Sequence, residues 1–407
     1  MNVRPNVPIA EGRAEGLAAP RSLLVTGGAG FIGANFVRSW LESHARDRVT
    51  VLDALTYAGN RASLAPCEGS DRFRFVRGDI GDSALVTEIV AAESIDTIVH
   101  FAAESHVDRS ISAPDVFLET NVLGTHTLLK AARQRVESLS AAERSRFRFH
   151  HVSTDEVFGS LGADDPAFTE RTPYAPNSPY AASKAASDHL VRAYNRTYGL
   201  PVTTSNCSNN YGPLQFPEKL IPLTLVNAME GKPLPVYGEG LNRRDWLHVE
   251  DHCRGIALVL EKGVSGECYN IGGGTEVANI DLVRALCRRV DARFASDGAL
   301  RARYPNSPAA RGGTCESLIE FVTDRLGHDR RYAIDGTRAT NELGYRPART
   351  LEQGLDETVD WYLGNEGWWG PLYGGRKLEA GSRTGDGGRQ GTDGGRQGKD
   401  GAAADSA

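Results

Sequence analysis

Lysine is scarce in this sequence: seven residues, against 39 arginines. That bias follows G+C-rich codons and implies no function. The six cysteines (Cys67, Cys207, Cys253, Cys268, Cys287 and Cys315) are widely spaced, with no CxxC pair. A zinc knuckle and a dithiol redox motif are therefore excluded, and no metal site is expected. Free, mostly buried thiols in a reducing cytoplasm are the simplest reading. No stretch approaches the roughly 18–20 apolar residues that a membrane span needs. The net charge of −6 leaves no broad basic footprint for nucleic acid. The first twenty residues lack an apolar run and do not read as a signal peptide.

What is present is ordinary for a globular chain of 407 residues: 40% hydrophobic and 24% charged. That length suits two or three domains, or one large domain with a lobe. Residues 1–20 lack periodicity, and residues 380–407 are a near repeat of glycine and charge. Neither end can bury enough apolar area to offset chain entropy, so both are expected to be disordered.

Between the ends, apolar runs alternate with helical stretches. "SLLVT" (22–26), "RVTVLD" (48–53), "FRFVRGD" (73–79), "IDTIVHFAA" (95–103) and "RFRFHHVST" (146–154) read as strands. Helices are expected from Phe31 to about His44, over 82–93 and over 115–134. Continuous apolar strands separated by helices predict an α/β fold, a Rossmann-type doubly wound parallel sheet covered on both faces. This domain is expected over 21–210. From about Tyr211 the rhythm loosens, helices shorten, and "LPVYG" and "ECYNIG" read as strands. A smaller α/β substrate-binding lobe is expected over 211–372, partly interleaved. Residues 293–315 read as a loop-like insertion.

"TGGAGFIG" (26–33) follows the first strand and opens a helix. Both Gly28-x-Gly30-x-x-Gly33 and Gly27-x-x-Gly30-x-x-Gly33 fit a dinucleotide fingerprint. The glycines permit close backbone approach, and the helix N-terminus offers free N–H groups to a pyrophosphate. Asp53 ends the second strand twenty residues past Gly33. Its carboxylate can accept from ribose hydroxyls and would repel a 2′-phosphate, which favours NAD over NADP. An ordinary strand–helix turn is the competing reading. Asp79 either faces an adenine or caps the helix near Asp82.

"SPYAASKAASDHLVRAY" (178–194) reads as a helix with Tyr180 and Lys184 four apart on one face. An ammonium beside a phenol favours phenolate, and such a group can take a proton from a sugar hydroxyl. Such spacing is common by chance, and gains weight from the fingerprint before it. Thr154, Asp155 and Glu156 stand at the carboxyl end of the fifth strand, where ligands of open sheets bind. Paired carboxylates there suit one proton added and one removed. A helix cap or turn is the competing reading.

With these motifs the chain resembles the extended short-chain dehydrogenases/reductases, and within them the dTDP-glucose 4,6-dehydratase family. The resemblance covers roughly 22–370. It rests on "TGGAGFIG", "DALTYAGN", "AAESHVDRSI", "STDEVFG", "YAASK", "NNYGP", "FPEKLIP", "RDWLHVEDH" and "DRLGHDRRYAID". It implies a hydro-lyase with bound NAD, acting on a nucleotide sugar. Tyr180, aided by Thr154 and Lys184, would take the 4-OH proton. Glu156 would remove the C5 proton, and Asp155 would protonate the departing 6-OH.

The resemblance also implies binding roles. NAD contacts would come from Phe31, Ile32, Asp53, Ala54, Leu55 and Thr56, then Asp79, Ile80, Ala102, Ala103, Glu104, Thr120 and Asn210, besides Tyr180 and Lys184. Sugar-nucleotide contacts would come from Ser105, Thr154, Asn209, Lys219, Leu220, Pro235, Val236 and Tyr237, then Arg244, Asn279, Asp324, Arg325, Leu326, Gly327 and His328, with Tyr332 nearby. Arg244 and Lys219 suit a diphosphate, with a surface ion pair as the competing reading. A cytoplasmic homodimer, pairing helices around 115–134 and 180–198 into a four-helix bundle, is also implied. The insertion before Asp324 and the glycine-rich tail depart from the family pattern, and Phe158 stands where Tyr is also common. The rival readings are a 4-epimerase or decarboxylase on the same scaffold, and a non-catalytic NAD-binding regulator.

Overall fold

Seven parallel strands set the frame. In the computed structural model, residues 20–380 are described, without the side chains of 374–380. Apart from Pro20 and Ala380, the ends expected to be disordered lie outside the described residues.

The strands are β1 (Ser22–Thr26), β2 (Arg48–Asp53), β3 (Phe73–Arg77), β4 (Thr97–His100), β5 (Arg148–Thr154) and β6 (Val202–Cys207), followed by β7 (Asn209–Tyr211), β8 (Leu234–Tyr237), β9 (Arg243–His248) and β10 (Cys268–Ile271). The main sheet runs β10-β6-β5-β4-β1-β2-β3, and every pairing in it is parallel. This is the doubly wound order, and its direction reverses between β1 and β4. A crevice opens there beyond the carboxyl ends of the strands. Register places the chemistry. His100 ends β4 opposite His151, and β5 continues three residues further to Thr154. At ~3.3 Å per residue this lifts the Thr-Asp-Glu triplet about 10 Å past the neighbouring strand end.

Helices Phe31–Ser43 and Val249–Lys262 bury their apolar sides on one face of the sheet. Helices Ser83–Ala92, Thr125–Ser138 and Pro179–Tyr198 cover the other. The stretch expected as one helix over 115–134 is helical to Ser138, but widens to a π-helix over Leu118–Gly124. Asn121 in that segment bonds Glu104 N (2.9 Å), Glu104 O (3.0 Å) and Ser183 Oγ (2.8 Å). A π-bulge at such a point is a frequent mark of a functional site.

Two expectations fail beyond residue 211. The helices do not shorten: Asn279–Ser296 has 18 residues and Leu351–Gly364 has 14. With Leu220–Glu230 they enclose a second apolar core. Nor is 293–315 a loop. Asp297 caps a helix over Gly298–Arg303, and Leu300, Tyr304, Ala309 and Cys315 are buried in that second core. Its prolines and arginines concealed the few apolar anchors. "ECYNIG" forms β10 and belongs to the main sheet, so the chain returns to that sheet from the lobe.

The lobe carries β11 (Glu276–Ala278), β12 (Ile319–Val322) and β13 (Arg331–Tyr332). β9 pairs with β7, β11 and β13, while β8 pairs with β12. These strands hang over the crevice. The six cysteines are free, and all but Cys268 are buried.

Candidate active site

The crevice forms a cleft of about 610 Å³, within the range of roughly 300–1,000 Å³ common for ligand sites. Its floor is the turn after β1. Gly27 has φ +69°, and a Cβ there would lie 2.6 Å from Ala102 N. A Cβ on Gly33 would lie 2.3 Å from the Gly27 carbonyl oxygen. Gly27, Gly30 and Gly33 face the cleft, while Gly28 abuts the Val51 side chain. Gly30 precedes helix Phe31–Ser43 without a side-chain cap, so the first N–H groups remain free for an anion.

Asp53 closes β2 at the same end. Its Oδ2 accepts from Ala29 N and its Oδ1 from Leu55 N, both at 2.8 Å. Burial pushes its carboxyl pKa up, and those two bonds pull against it. Asp82, not Asp79, caps helix Ser83–Ala92, which leaves Asp79 on the cleft wall. Phe31, Ile32, Ala54, Thr56, Ile80, Ala102, Ala103, Glu104, Thr120 and Asn210 line this end. Leu55 does not. Its φ of +54° turns the side chain towards the core beneath the sheet.

The wall opposite carries the acids. Thr154 does cap a short turn, its Oγ1 accepting from Glu156 N at 3.3 Å. The two carboxyl groups cap nothing and line the cleft with Tyr180 and Lys184. Asp155 is 1% exposed, with Thr154 Oγ1 donating to its Oδ1 at 3.4 Å. Its Oδ2 is buried and unpartnered within the chain. Burial pushes the Asp155 pKa well above the carboxylate range, and Glu156 and Asp245 push it further. Burial also raises Glu156, but Lys219, Arg244 and Arg325 all pull it back. The environments thus split the pair, Asp155 holding its proton more tightly than Glu156.

Tyr180 and Lys184 share one face of helix Pro179–Tyr198, as the spacing predicts. The net shift of the phenol runs opposite to the one expected from the ammonium. Burial pushes the Tyr180 pKa well above its ordinary value, with Glu156 adding to the rise and a Thr154 hydrogen bond opposing it. Lys184 lies one turn deeper, and its Nζ donates to Val152 O at 2.9 Å.

The far half of the cleft is lined by Ser105, Asn209, Lys219, Leu220, Pro235, Val236, Tyr237, Asn279, Gly327 and His328. Lys219 Nζ donates to Ser105 O at 2.9 Å. Arg244 is no surface ion pair. It is buried, stacks 4.2 Å over Tyr332, and donates to Asp329 O at 2.8 Å. Arg325 and Tyr332 also reach the cleft. Asp324 and Leu326 do not line it: Asp324 instead accepts from His328 Nδ1 at 2.6 Å, and Leu326 is 78% exposed on the outside of its loop. Asn209 Oδ1, Gln215 Oε1, Trp246 Nε1 and Asn279 Oδ1 are buried without partners in the chain. These residues face the cleft, and a polar ligand could satisfy such atoms.

Several contributors, Trp246 among them, were not singled out from the sequence. Gln215, Glu218 and His106 line the cleft, with His106 Nε2 3.6 Å from Glu218 Oε2. His106 and Glu218 lie inside quoted motifs, which is the signal that could have found them. Nothing in the spacing marks Asn121.

A family model described as GDP-mannose 4,6 dehydratase matches residues 24–358. A dTDP-glucose 4,6-dehydratase of Xanthomonas campestris is 56% identical over 358 residues, 88% of this chain and 97% of that one. The chain belongs to the dTDP-glucose 4,6-dehydratase family. A member of the family from Escherichia coli is 50% identical over 89% of this chain and 99% of its own. Another, from Streptomyces venezuelae, was solved with NAD bound; it superposes with a TM-score of 0.76 at 50% identity, covering 86% of this chain and 99% of that one. A UDP-glucose 4-epimerase of Thermus thermophilus, solved with NAD, shares the fold outside the family: TM-score 0.71, 27% identity, 84% and 99% coverage.

Proposed function

We propose that the chain converts dTDP-glucose to dTDP-4-keto-6-deoxyglucose and water. The observation that carries this is the meeting of Thr154, Asp155, Glu156, Tyr180 and Lys184 on one cleft wall, opposite the glycine turn. NAD suits that turn, with Asp53 for the ribose and the free N–H groups after Gly30 for the pyrophosphate. When bound it would accept hydride from C4 and return it to C6.

The side chains manage the protons. Tyr180, in the phenolate form that the Lys184 ammonium favours and bonded by Thr154, takes the proton of the 4-OH. The resulting ketone acidifies C5–H, and Glu156 removes that proton. Asp155, held neutral by burial, gives its proton to the 6-OH, which leaves as water. Glu156 then returns a proton to C5. Lys219, Arg244 and Arg325 supply charge for the diphosphate. A 4-epimerase has no use for an acid and a base beside C5 and C6, so the Asp-Glu pair favours dehydration. A non-catalytic regulator would have no need of the full set.

The exposed apolar residues Leu118 (52%) and Leu123 (60%), with Val116 and Tyr198, support a homodimer through the helices around 115–138 and 179–198. Six free thiols and the absence, among the described residues, of a helix able to cross a membrane fit a cytoplasmic enzyme.

Purified protein incubated with dTDP-, UDP- and CDP-glucose tests the reading. Loss of one water from dTDP-glucose by mass spectrometry is expected. An unchanged mass with an altered sugar would show an epimerase, and no product from any of the three would favour the regulator.

A further inference from the structure

Helix Pro179–Tyr198 carries a third buried ionisable group in the series begun by Tyr180 and Lys184. Asp188 follows Lys184 by four residues, so it lies one turn deeper on the same face. It is 4% exposed. Its Oδ2 accepts from Ser153 Oγ at 2.8 Å and from Tyr174 OH at 3.0 Å. Its Oδ1 stands 3.0 Å from His151 Nε2. Ser153 immediately precedes Thr154, so this carboxylate braces both the catalytic helix and the end of β5. The proton steps proposed above make no use of it.

A buried ammonium is costly unless an opposite charge and hydrogen bonds compensate it. The one hydrogen bond found for Lys184 Nζ runs to a backbone carbonyl, Val152 O. Burial lowers the Lys184 pKa, and Asp188 is the strongest group opposing that fall. The groups facing Asp188 are His151 and Ser153 from β5, Tyr174 from the segment before the helix, Lys184 and His189 from its own helix, and Cys268 from β10. Burial holds the His151 pKa well below its usual value, so the ring is neutral. Burial likewise raises Cys268 well above the thiol range. Of the basic groups facing Asp188, Lys184 acts on it more strongly than His189.

We infer that Asp188 is a positioning residue for the reaction, the buried counter-charge that keeps Lys184 an ammonium seated beneath Tyr180. This rests on the dehydratase reading for its consequence in turnover, though not for the pairing itself. Asp188 also lines a second cavity, between the helix and the β10 edge, with Tyr174 and Cys268. That cavity gives protons a route to the carboxylate from the side away from the substrate cleft.

Burial raises the Asp188 pKa to about 6, and Lys184, Ser153 and Tyr174 hold it from rising further. The carboxylate is therefore charged above that pH and lost below it, so kcat should fall on the acid side near pH 6. Tyr174→Phe removes one donor and should move that limb to higher pH. Asp188→Asn should abolish the limb and lower kcat about tenfold, the equivalent of one unit in the Lys184 equilibrium, and Asp188→Glu should recover part of it. With only seven lysines in the chain, NMR of ¹⁵N-lysine-labelled protein follows Lys184 Nζ without turnover. Deprotonation at lower pH in Asp188→Asn than in the wild type is expected. An acid limb unmoved by Tyr174→Phe, or a Lys184 titration unmoved by Asp188→Asn, would overturn the inference. If the wild-type protein dehydrates none of the nucleotide sugars, the activity reading fails, and the Lys184 titration still decides the pairing.

Discussion

Arg325 spans the mouth of the cleft to Asp108, its Nε 2.7 Å from Asp108 Oδ1. Tyr237 OH donates to Asp108 Oδ2 at 3.3 Å, so one carboxylate ties two parts of the lobe to the rim of the main sheet. In the proposed reaction Arg325 offers its charge to the diphosphate. Arg325→Ala is expected to raise KM for the sugar nucleotide about tenfold and to leave kcat within about threefold. Asp108→Asn frees the guanidinium and is expected to leave KM unchanged or lower it. Steady-state kinetics check both, and an unaltered KM in Arg325→Ala would remove that residue from the binding site.

Glu156 and Asp155 are neighbours in sequence held in different electrostatic surroundings. Glu156→Gln removes the base for C5 while preserving size and polarity. Turnover should fall by about 10²–10⁴, the usual contribution of a positioned base. The first oxidation should survive, so reduced cofactor accumulates on mixing with substrate. Stopped-flow absorbance of the reduced nicotinamide reads this directly. Normal turnover would exclude Glu156 as the base.

Gly33 is needed where a backbone turn leaves no room. A Cβ there would sit 2.3 Å from the Gly27 carbonyl oxygen, and that carbonyl belongs to the turn itself. Gly33→Ala should therefore open the turn and sharply reduce the NAD that copurifies, measured by chromatography of the nucleotide released on denaturation. The nearest atoms to a Cβ in Gly28→Ala are side-chain ones, of Val51 at 2.8 Å and Val25 at 3.4 Å. That variant should retain more cofactor than Gly33→Ala, since a side chain moves more readily than a backbone turn.

Five of the seven main-sheet strands, β1 to β5, were legible as largely apolar runs, while β6, Val-Thr-Thr-Ser-Asn-Cys, was not, and "TGGAGFIG" and "YAASK" fix the two ends of the site. The lobe was harder. Residues 293–315 hold their place through a few anchors, Leu300, Tyr304 and Cys315, set among prolines, glycines and arginines. No periodicity survives such spacing. Leu55, Asp324 and Leu326 show the limit of motif matching: each lies inside a matched motif, yet none of them lines the cleft. The state of Tyr180 was also hidden. Its pKa is governed by burial and by Glu156 on the same cleft wall, and spacing along one helix reports neither.

Leu118 and Leu123 project from the π-helical segment at 52% and 60% exposure. Apolar groups so placed find cover in an assembly. Leu118→Asp combined with Leu123→Asp should convert a dimer to monomers in sedimentation velocity, with the far-ultraviolet circular dichroism retained. A wild-type protein that sediments as a monomer would dismiss the proposed two-fold.

His150 links the sheet to pH. It lies fully buried in β5 between Thr203 Oγ1 (2.9 Å) and Ser205 Oγ (3.1 Å) of β6. Burial lowers its pKa to about 3, against ~6.5 in an unfolded chain. Between these values the unfolded state binds a proton that the native state refuses. Its contribution to stability is therefore complete above about pH 6.5 and declines as the pH falls towards 3. From pH 7 to pH 5 this single group should cost about 2 kcal/mol. His150→Gln keeps a polar side chain that does not titrate. It should be less stable than the wild type at pH 7 through imperfect hydrogen bonding, yet lose about 2 kcal/mol less on acidification. Urea denaturation of both proteins at the two pH values measures the difference, and parallel losses would show that His150 is protonated inside the sheet.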